Sequence, residues 1–313
     1  MPLKIEKLSK RYENTWALRD VEFDIADGEI FGIFGGTAAG KTSLLRLIAG
    51  SESSNGGSVS SDGRKISFVE NEQSSGITSI FRKKKIETST GEEKIEAFKR
   101  SLDPSAGILL FDDPFAGIDT VKSEELLSEL QSFAKENGPI VVFASNNYEQ
   151  IAAICRRVAV IVKGEIAQVG FPQEVYENPA TSAVAAIVGR NNLFTARRLT
   201  STNADLPEFQ TLTGEHRILA QPTAKAALGA INQNVTLAIR PEQVSISFEA
   251  SFPEDNIIKA VVTAIRFLGP TTIIELDANG LRLESRVFRI VGLKVGEECM
   301  IAMPPHRIQV LKS

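Results

Sequence analysis

The sequence predicts an α/β domain over residues 1–190 followed by an all-β domain over residues 191–313. Three observations carry this. Residues 1–190 alternate short apolar runs with stretches of helical spacing, the pattern of strands and helices around a mainly parallel sheet. Several of the runs, such as 30–34, 108–111 and 140–144, hold no charged residue, as strands buried on both faces require. From Asn191 onward, short apolar runs sit between Gly, Pro and Asn turns, which suits a small barrel or sandwich. At 313 residues, each domain is long enough to bury its own core.

The first run, 30–34, leads into Gly35-Gly36-Thr37-Ala38-Ala39-Gly40-Lys41-Thr42-Ser43, which fits G-x-x-x-x-G-K-[ST]. Leu44, Leu45, Leu47 and Ile48 then continue with helical spacing. A glycine loop between a strand and a helix N-terminus aims backbone N–H groups and the helix dipole at phosphate oxygens. Lys41 would reach the outer phosphates, and the Thr42 hydroxyl would be a magnesium ligand. An ordinary Gly-rich turn is the alternative, but strand, loop, Lys-Thr and helix all stand in order. The reading is therefore a nucleoside triphosphate with Mg2+.

A second run, Ile108-Leu109-Leu110-Phe111, ends in Asp112 and Asp113. Open α/β sheets place ligands at the C-terminal ends of their strands. Asp112 reads as the acid that holds magnesium, and Asp113 stands where a base for the attacking water would sit. Further along, residues 122–136 space Leu126, Leu127, Leu130 and Phe133 on one helix face. Residues 139–144 read as the next buried strand, and residues 149–155 begin another helix. In the second half, 235–239, 271–276 and 299–302 read as short strands. Residues 51–57 read as a polar loop, and Arg82-Lys83-Lys84-Lys85 as a solvated basic run or a lipid-headgroup contact.

Composition excludes more than it names. The net charge of −4 argues against a dedicated nucleic-acid binder. No apolar run approaches the ~18 residues of a membrane-spanning helix, and the N-terminus lacks a signal-peptide pattern. A soluble protein is expected. Cys155 and Cys299 show no metal-ligand spacing and read as small hydrophobes in a reducing compartment.

Beyond these two motifs, the chain resembles the ATP-binding cassette (ABC) family, an α/β P-loop NTPase fold. The resemblance runs through Lys7-Leu8-Ser9-Lys10-Arg11-Tyr12, Asp27-Gly28-Glu29, Phe115-Ala116-Gly117-Ile118-Asp119 and Pro172-Gln173-Glu174-Val175-Tyr176. It implies a parallel-sheet core with a small antiparallel β subdomain, Tyr12 as the aromatic that stacks on adenine, and Asp119 as the D-loop acid. Leu237 to Val244, with Arg240-Pro241-Glu242, and Phe267-Leu268-Gly269-Pro270 resemble the TOBE domain, an OB-like β domain of importer ATPases. Arg240 and Glu242 read as a buried ion pair or as part of a solute-regulated site.

The departures from the family gather on the catalytic parts. Asn71 stands at the position of a magnesium-contacting Gln, and too few residues separate it from Ser89 for the usual helical subdomain. That lobe is largely missing. The signature survives only in outline, as Thr88-Ser89-Thr90-Gly91-Glu92, where the resemblance implies that Ser89 and Gly91 contact the partner's nucleotide in trans. Read alone, the same residues make a good helix start. The catalytic Glu is Asp113, about 1.5 Å shorter, and the switch His is Asn146, which carries no charge. Ala38 replaces a usual Gly, a strained choice if that position needs a positive φ.

The resemblance implies an importer ATP-binding subunit on the cytoplasmic face of the membrane, working as a homo- or heterodimer. Its partners would be permease subunits and, indirectly, a solute-binding protein, with no nucleic acid. The eroded motifs imply weak hydrolysis. A pseudo-ATPase that assists an intact subunit is the alternative, and a soluble ABC protein of DNA repair or translation suits the C-terminal half poorly.

Overall fold

The computed structural model describes residues 2–70, 91–200, 206–220, 228–247, 255–289 and 292–311. The chain forms two compact units, 1–175 and 176–313.

The first unit holds a three-stranded antiparallel sheet and a six-stranded sheet. Its elements are β1 (Leu3–Tyr12), β2 (Thr15–Ile25), β3 (Ile30–Phe34), α1 (Lys41–Ile48), β4 (Gly56–Ser60) and β5 (Ile66–Val69). Then follow α2 (Gly91–Ser101), β6 (Ile108–Asp112), α3 (Thr120–Asn137), β7 (Ile140–Ser145), α4 (Tyr148–Ile154), β8 (Arg157–Val162) and β9 (Glu165–Gly170). The small sheet runs β2-β1-β4 and the large one β5-β6-β7-β3-β8-β9. The first five strands of the large sheet are parallel, and β9 closes the edge antiparallel to β8. Strands β6 and β7 are buried throughout, which explains their uninterrupted apolar runs. The expected loop at 51–57 is shorter than the sequence suggested, because Gly56 and Gly57 already pair in β4.

Helix α1 buries Leu44, Leu45, Leu47 and Ile48 in a core that also takes Leu3, Ile5 and Val21 of the small sheet and Ile108 and Val142 of the large one. Phe98 of α2 packs on Phe115 and Phe111, with centroids 5.0 and 5.3 Å away. Among the described residues, α2 is the one helix between β5 and β6. Asp119 caps α3 by accepting from the Lys122 N–H at 2.9 Å, and Gly138 ends it in the left-handed region.

The second unit holds two five-stranded antiparallel sheets. One takes β10 (Asn192–Arg198), β11 (Glu208–Thr211), β12 (Arg217–Leu219), β13 (Asn234–Ile239) and β19 (Gln309–Leu311). The other takes β14 (Ser245–Ser247), β15 (Asn256–Phe267), β16 (Thr272–Ala278), β17 (Leu281–Val287) and β18 (Glu298–Met303). Their inner faces share one core that includes Phe209, Leu237, Leu276 and Ile301.

Composition put the change of character at Asn191, whereas the units divide after Val175. The intervening segment begins within α5 (Pro172–Glu177) and includes α6 (Ser182–Ile187). Ala185 of α6 packs with Ala238 and Leu311 of the β unit. Arg240 anchors the same segment, donating to the carbonyls of Tyr176 (2.6 Å) and Arg190 (2.9 Å). Its guanidinium stacks 3.9 Å from the Tyr176 ring centroid. Glu242 accepts the Tyr176 hydroxyl at 2.5 Å, so both acid and base of the anticipated pair hold Tyr176. Cys155 and Cys299 are buried, and burial pushes both thiols up.

Candidate functional site

The loop between β3 and α1 leaves no space for side chains at two of its glycines. A Cβ on Gly35 would lie 2.7 Å from the Ile161 carbonyl oxygen, and one on Gly40 would lie 2.5 Å from that of Ala17. Gly40 also has φ 108°, which L residues rarely adopt. Gly36 faces open space, and Thr37 is exposed. Ala38 has φ 59°, so the position does need the left-handed region and the alanine bears its strain. Ala39 is buried and closes the turn, its N–H donating to the Gly36 carbonyl at 3.2 Å.

Lys41, the first residue of α1, is buried and folds back over the loop. Its ammonium donates to the carbonyls of Gly35 (2.8 Å) and Gly36 (3.1 Å). Burial lowers its pKa, and the charges of Asp113 and Asp112 oppose that shift. Thr42 donates its hydroxyl to Asp112 Oδ2 at 2.7 Å. Asp112 is 2% exposed, and burial raises its carboxyl above the ordinary carboxylate value.

Asp113 leaves the strand with φ 47°, a conformation that Asp tolerates better than most residues. Its N–H donates to the Ala144 carbonyl at 2.8 Å, and Ser145 Oγ lies 3.1 Å from its Oδ1. Ser145 is fully buried, also lies 2.9 Å from Gln150 Oε1, and accepts from the Asn147 N–H at 3.0 Å. Asn146 is exposed. Asp113 and Asn146 both line an open cleft of ≈ 310 Å³ between the 115–118 turn, the start of α3 and α4. The two residues read as catalytic from sequence thus share one cleft wall.

Tyr12 ends β1 and is 37% exposed. Its hydroxyl donates to Glu52 Oε2 at 2.5 Å and lies 3.3 Å from Ser43 Oγ in α1. Burial, and then the bond to Glu52, raise the phenol pKa. Glu52 also pairs with Lys10 and Arg46, both at 3.2 Å, and Arg46 in turn holds Glu70 at the end of β5. Asp119 lies far along the chain from the signature outline at 88–92 and acts here as the α3 cap. Gly91 is exposed and opens α2. Asn71, Ser89, Thr90 and the basic run 82–85 lie outside the described residues.

Sequence reasoning missed Glu52, Arg46, Glu70 and Ser145. Glu70 had a signal, since it precedes Asn71 at the end of a strand beside β6. The other three are joined by tertiary contacts that no local pattern encodes.

These residues fit Mg-ATP. Gly35 and Gly40 let the loop pack tightly against the Ile161 and Ala17 carbonyls, Gly36 faces open space, and the first turn of α1 carries N–H groups with no intrahelical partner. The Thr42 hydroxyl and the Asp112 carboxylate meet at hydrogen-bond distance, offering a hard cation two oxygen ligands.

Residues 18–88 match the family described as ABC transporter, and residues 237–311 match the TOBE domain. The spermidine/putrescine import ATP-binding protein PotA of Nitrosomonas europaea is 28% identical, over 90% of this chain and 90% of that protein. The molybdate/tungstate import ATP-binding protein WtpC of Pyrococcus horikoshii is 26% identical, over 98% of this chain and 99% of its own length. The sulfate/thiosulfate import ATP-binding protein CysA of Bacillus cereus is 27% identical, over 99% of this chain and 98% of its own. That alignment runs over 365 residues against the 313 of this chain, so the relative carries segments that this chain lacks. A crystal structure of a nucleotide-free ATP-binding cassette from an ABC transporter shares the fold, with a TM-score of 0.50 at 16% identity over 61% of this chain and 100% of that one. Glycine loop, acid-tipped strand and TOBE-matching β unit agree: the chain carries an ABC transporter match and a TOBE domain match, and its relatives are import ATP-binding proteins of ABC transporters.

Proposed function

We propose that this protein is the ATP-binding subunit of an ABC-type importer and binds Mg-ATP to drive solute uptake. The observation that carries this is the 2.7 Å bond from Thr42 to Asp112 at the mouth of the glycine loop. Lys41 would turn from the Gly35 and Gly36 carbonyls to the outer phosphates, and Thr42 and Asp112 would hold the magnesium. The ion supplies charge neutralisation on the phosphates. Tyr12 would stack on the base.

In a dimer, Ser89 and Gly91 would contact the nucleotide of the partner, with Asn71 a further metal contact and Asp119 near the interface. Asp113 would orient water, and Asn146 would make an uncharged contact to the terminal phosphate. Membrane-spanning permease subunits are the partners on this reading, and the cytoplasmic face of the membrane is its place. Among the described residues, no helix is long and apolar enough to cross a membrane. The import ATP-binding relatives favour a working transporter subunit over an ATP-binding partner without turnover.

Calorimetry of the full chain with ATP, with and without magnesium, tests the binding. Saturable, magnesium-dependent binding is expected. A chain that binds no nucleotide in either condition would overturn the proposal.

A further inference from the structure

Tyr12 belongs to the small antiparallel sheet, whereas the phosphate loop belongs to the large one. A base platform and a phosphate cradle on separate sheets need a fixed spacing if one nucleotide is to span both. The tie on the page is the Tyr12 hydroxyl, which donates to Glu52 and lies beside Ser43 of α1. Glu52 is held in turn by the Arg46 guanidinium, itself on α1, and by Lys10 on β1. The Ser51 and Glu52 N–H groups both donate to the Arg46 carbonyl, so the loop carrying Glu52 is pinned to the end of α1. Burial would raise the Glu52 carboxyl, but its hydrogen bonds from Tyr12, Lys10 and Arg46 win and keep it low. Lys10 Nζ lies over the Tyr12 ring, 5.1 Å from the centroid, and Tyr12 remains 37% exposed.

We infer that Glu52 is the positioning residue of the base platform: through the Tyr12 hydroxyl it holds the ring at a set distance from the phosphate loop. The inference rests on the nucleotide reading above and deepens it. A ring free to swing would stack on a base only after paying the entropy of being ordered, so the tether raises affinity for the base and leaves phosphate contacts untouched. Glu52 itself touches no substrate in this account.

The experiment compares Mg-ATP with magnesium tripolyphosphate, which has the phosphates and no base, by calorimetry on the full chain. Glu52→Ala should weaken Mg-ATP about three- to tenfold, the range of one aromatic contact, and leave tripolyphosphate unchanged. Glu52→Gln keeps an acceptor for the phenol and should restore most of the loss. Tyr12→Phe keeps the ring and removes the tether, so Glu52→Ala added to Tyr12→Phe should change nothing further. Equal loss for both ligands, no loss for ATP, or a full loss in the Tyr12→Phe background would each overturn the inference. Wild-type protein that binds tripolyphosphate no more weakly than ATP would also overturn it, because no base platform would then exist. Wild-type protein that binds neither ligand overturns the nucleotide reading itself and removes the tether with it.

Discussion

Thr42 Oγ1 donates to Asp112 Oδ2 at 2.7 Å, joining the first turn of α1 to the tip of β6. Asp112 is buried, and its carboxyl is raised above the ordinary aspartate value chiefly by that burial, the Thr42 bond opposing. A raised folded pKa means that the folded state holds its proton more tightly than the unfolded chain. Stability from this group is therefore present below about pH 3.8 and is lost as pH rises through the folded value. At neutral pH the ionised Asp112 costs the apo protein stability. Asp112→Asn keeps an acceptor for Thr42 and removes that cost. Its apo melting temperature at pH 7 should exceed wild type by a few degrees (of order 2–4 °C), and the gap should narrow toward pH 4. Magnesium should lose its effect on ATP binding in the same variant. Scanning fluorimetry at several pH values, with and without Mg-ATP, reads both.

Lys41→Ala removes a charge-assisted phosphate contact and should weaken ATP at least about tenfold. Equal affinity in wild type and variant, by calorimetry, would show that the loop does not hold phosphate.

Ala38 sits at φ 59°, where a Cβ costs about 1–2 kcal/mol. Ala38→Gly relieves that strain at the expense of a more flexible unfolded chain, so a net gain of about 1 kcal/mol is expected. Urea unfolding measures it. A loss of stability would mean that the alanine methyl makes contacts worth more than its strain.

The parts legible in the sequence were those in which a few consecutive residues carry the whole geometry. Residues 30–48 encode strand, loop and helix in one piece, and Ile108 to Asp113 encode a buried strand with its acids. Residues 122–136 gave α3 because Leu126, Leu127 and Leu130 repeat on one face. The Tyr12–Glu52 bond was illegible, since the antiparallel pairing of β1 with β4 brings that loop back beside Tyr12. The sequence reading changes character at Asn191, whereas the compact units divide after Val175. The packing of Ala185 on Ala238 ties α6 to the β unit, a contact that no local pattern in 172–187 encodes.

Hydrolysis by the isolated protein should be slow, well below the median enzyme rate of about 10 s⁻¹, while ATP still binds. The Asp113 carboxylate is one methylene short, and Asn146 supplies no imidazole. Asp113→Glu with Asn146→His should raise turnover more than either change alone, because such groups act as a unit. The Glu must accept φ 47° and give up the Ser145 contact, so the single Asp113→Glu change should gain little. Wild-type turnover near 10 s⁻¹ in a phosphate-release assay would contradict the eroded-site reading.

Arg240→Ala should unfold the β unit more readily. The buried guanidinium bonds the backbone carbonyls of Tyr176, Arg190 and Ala185, and leaving them unpaired costs about 3 kcal/mol. Arg240→Lys should recover little, since a point charge cannot both reach these carbonyls and stack on Tyr176. Urea titration followed by near-ultraviolet circular dichroism reports the change.

The strand order of the large sheet has a consequence for biosynthesis. Strand β3, which ends at the phosphate loop, is flanked by β7 and β8, and these leave the ribosome long after it. Phe34 must wait for Ser145 on one side and Val160 on the other. Until then a strand with the sequence IFGIF has both edges open, next to a glycine-rich turn. Such a segment is exposed to aggregation in the nascent chain.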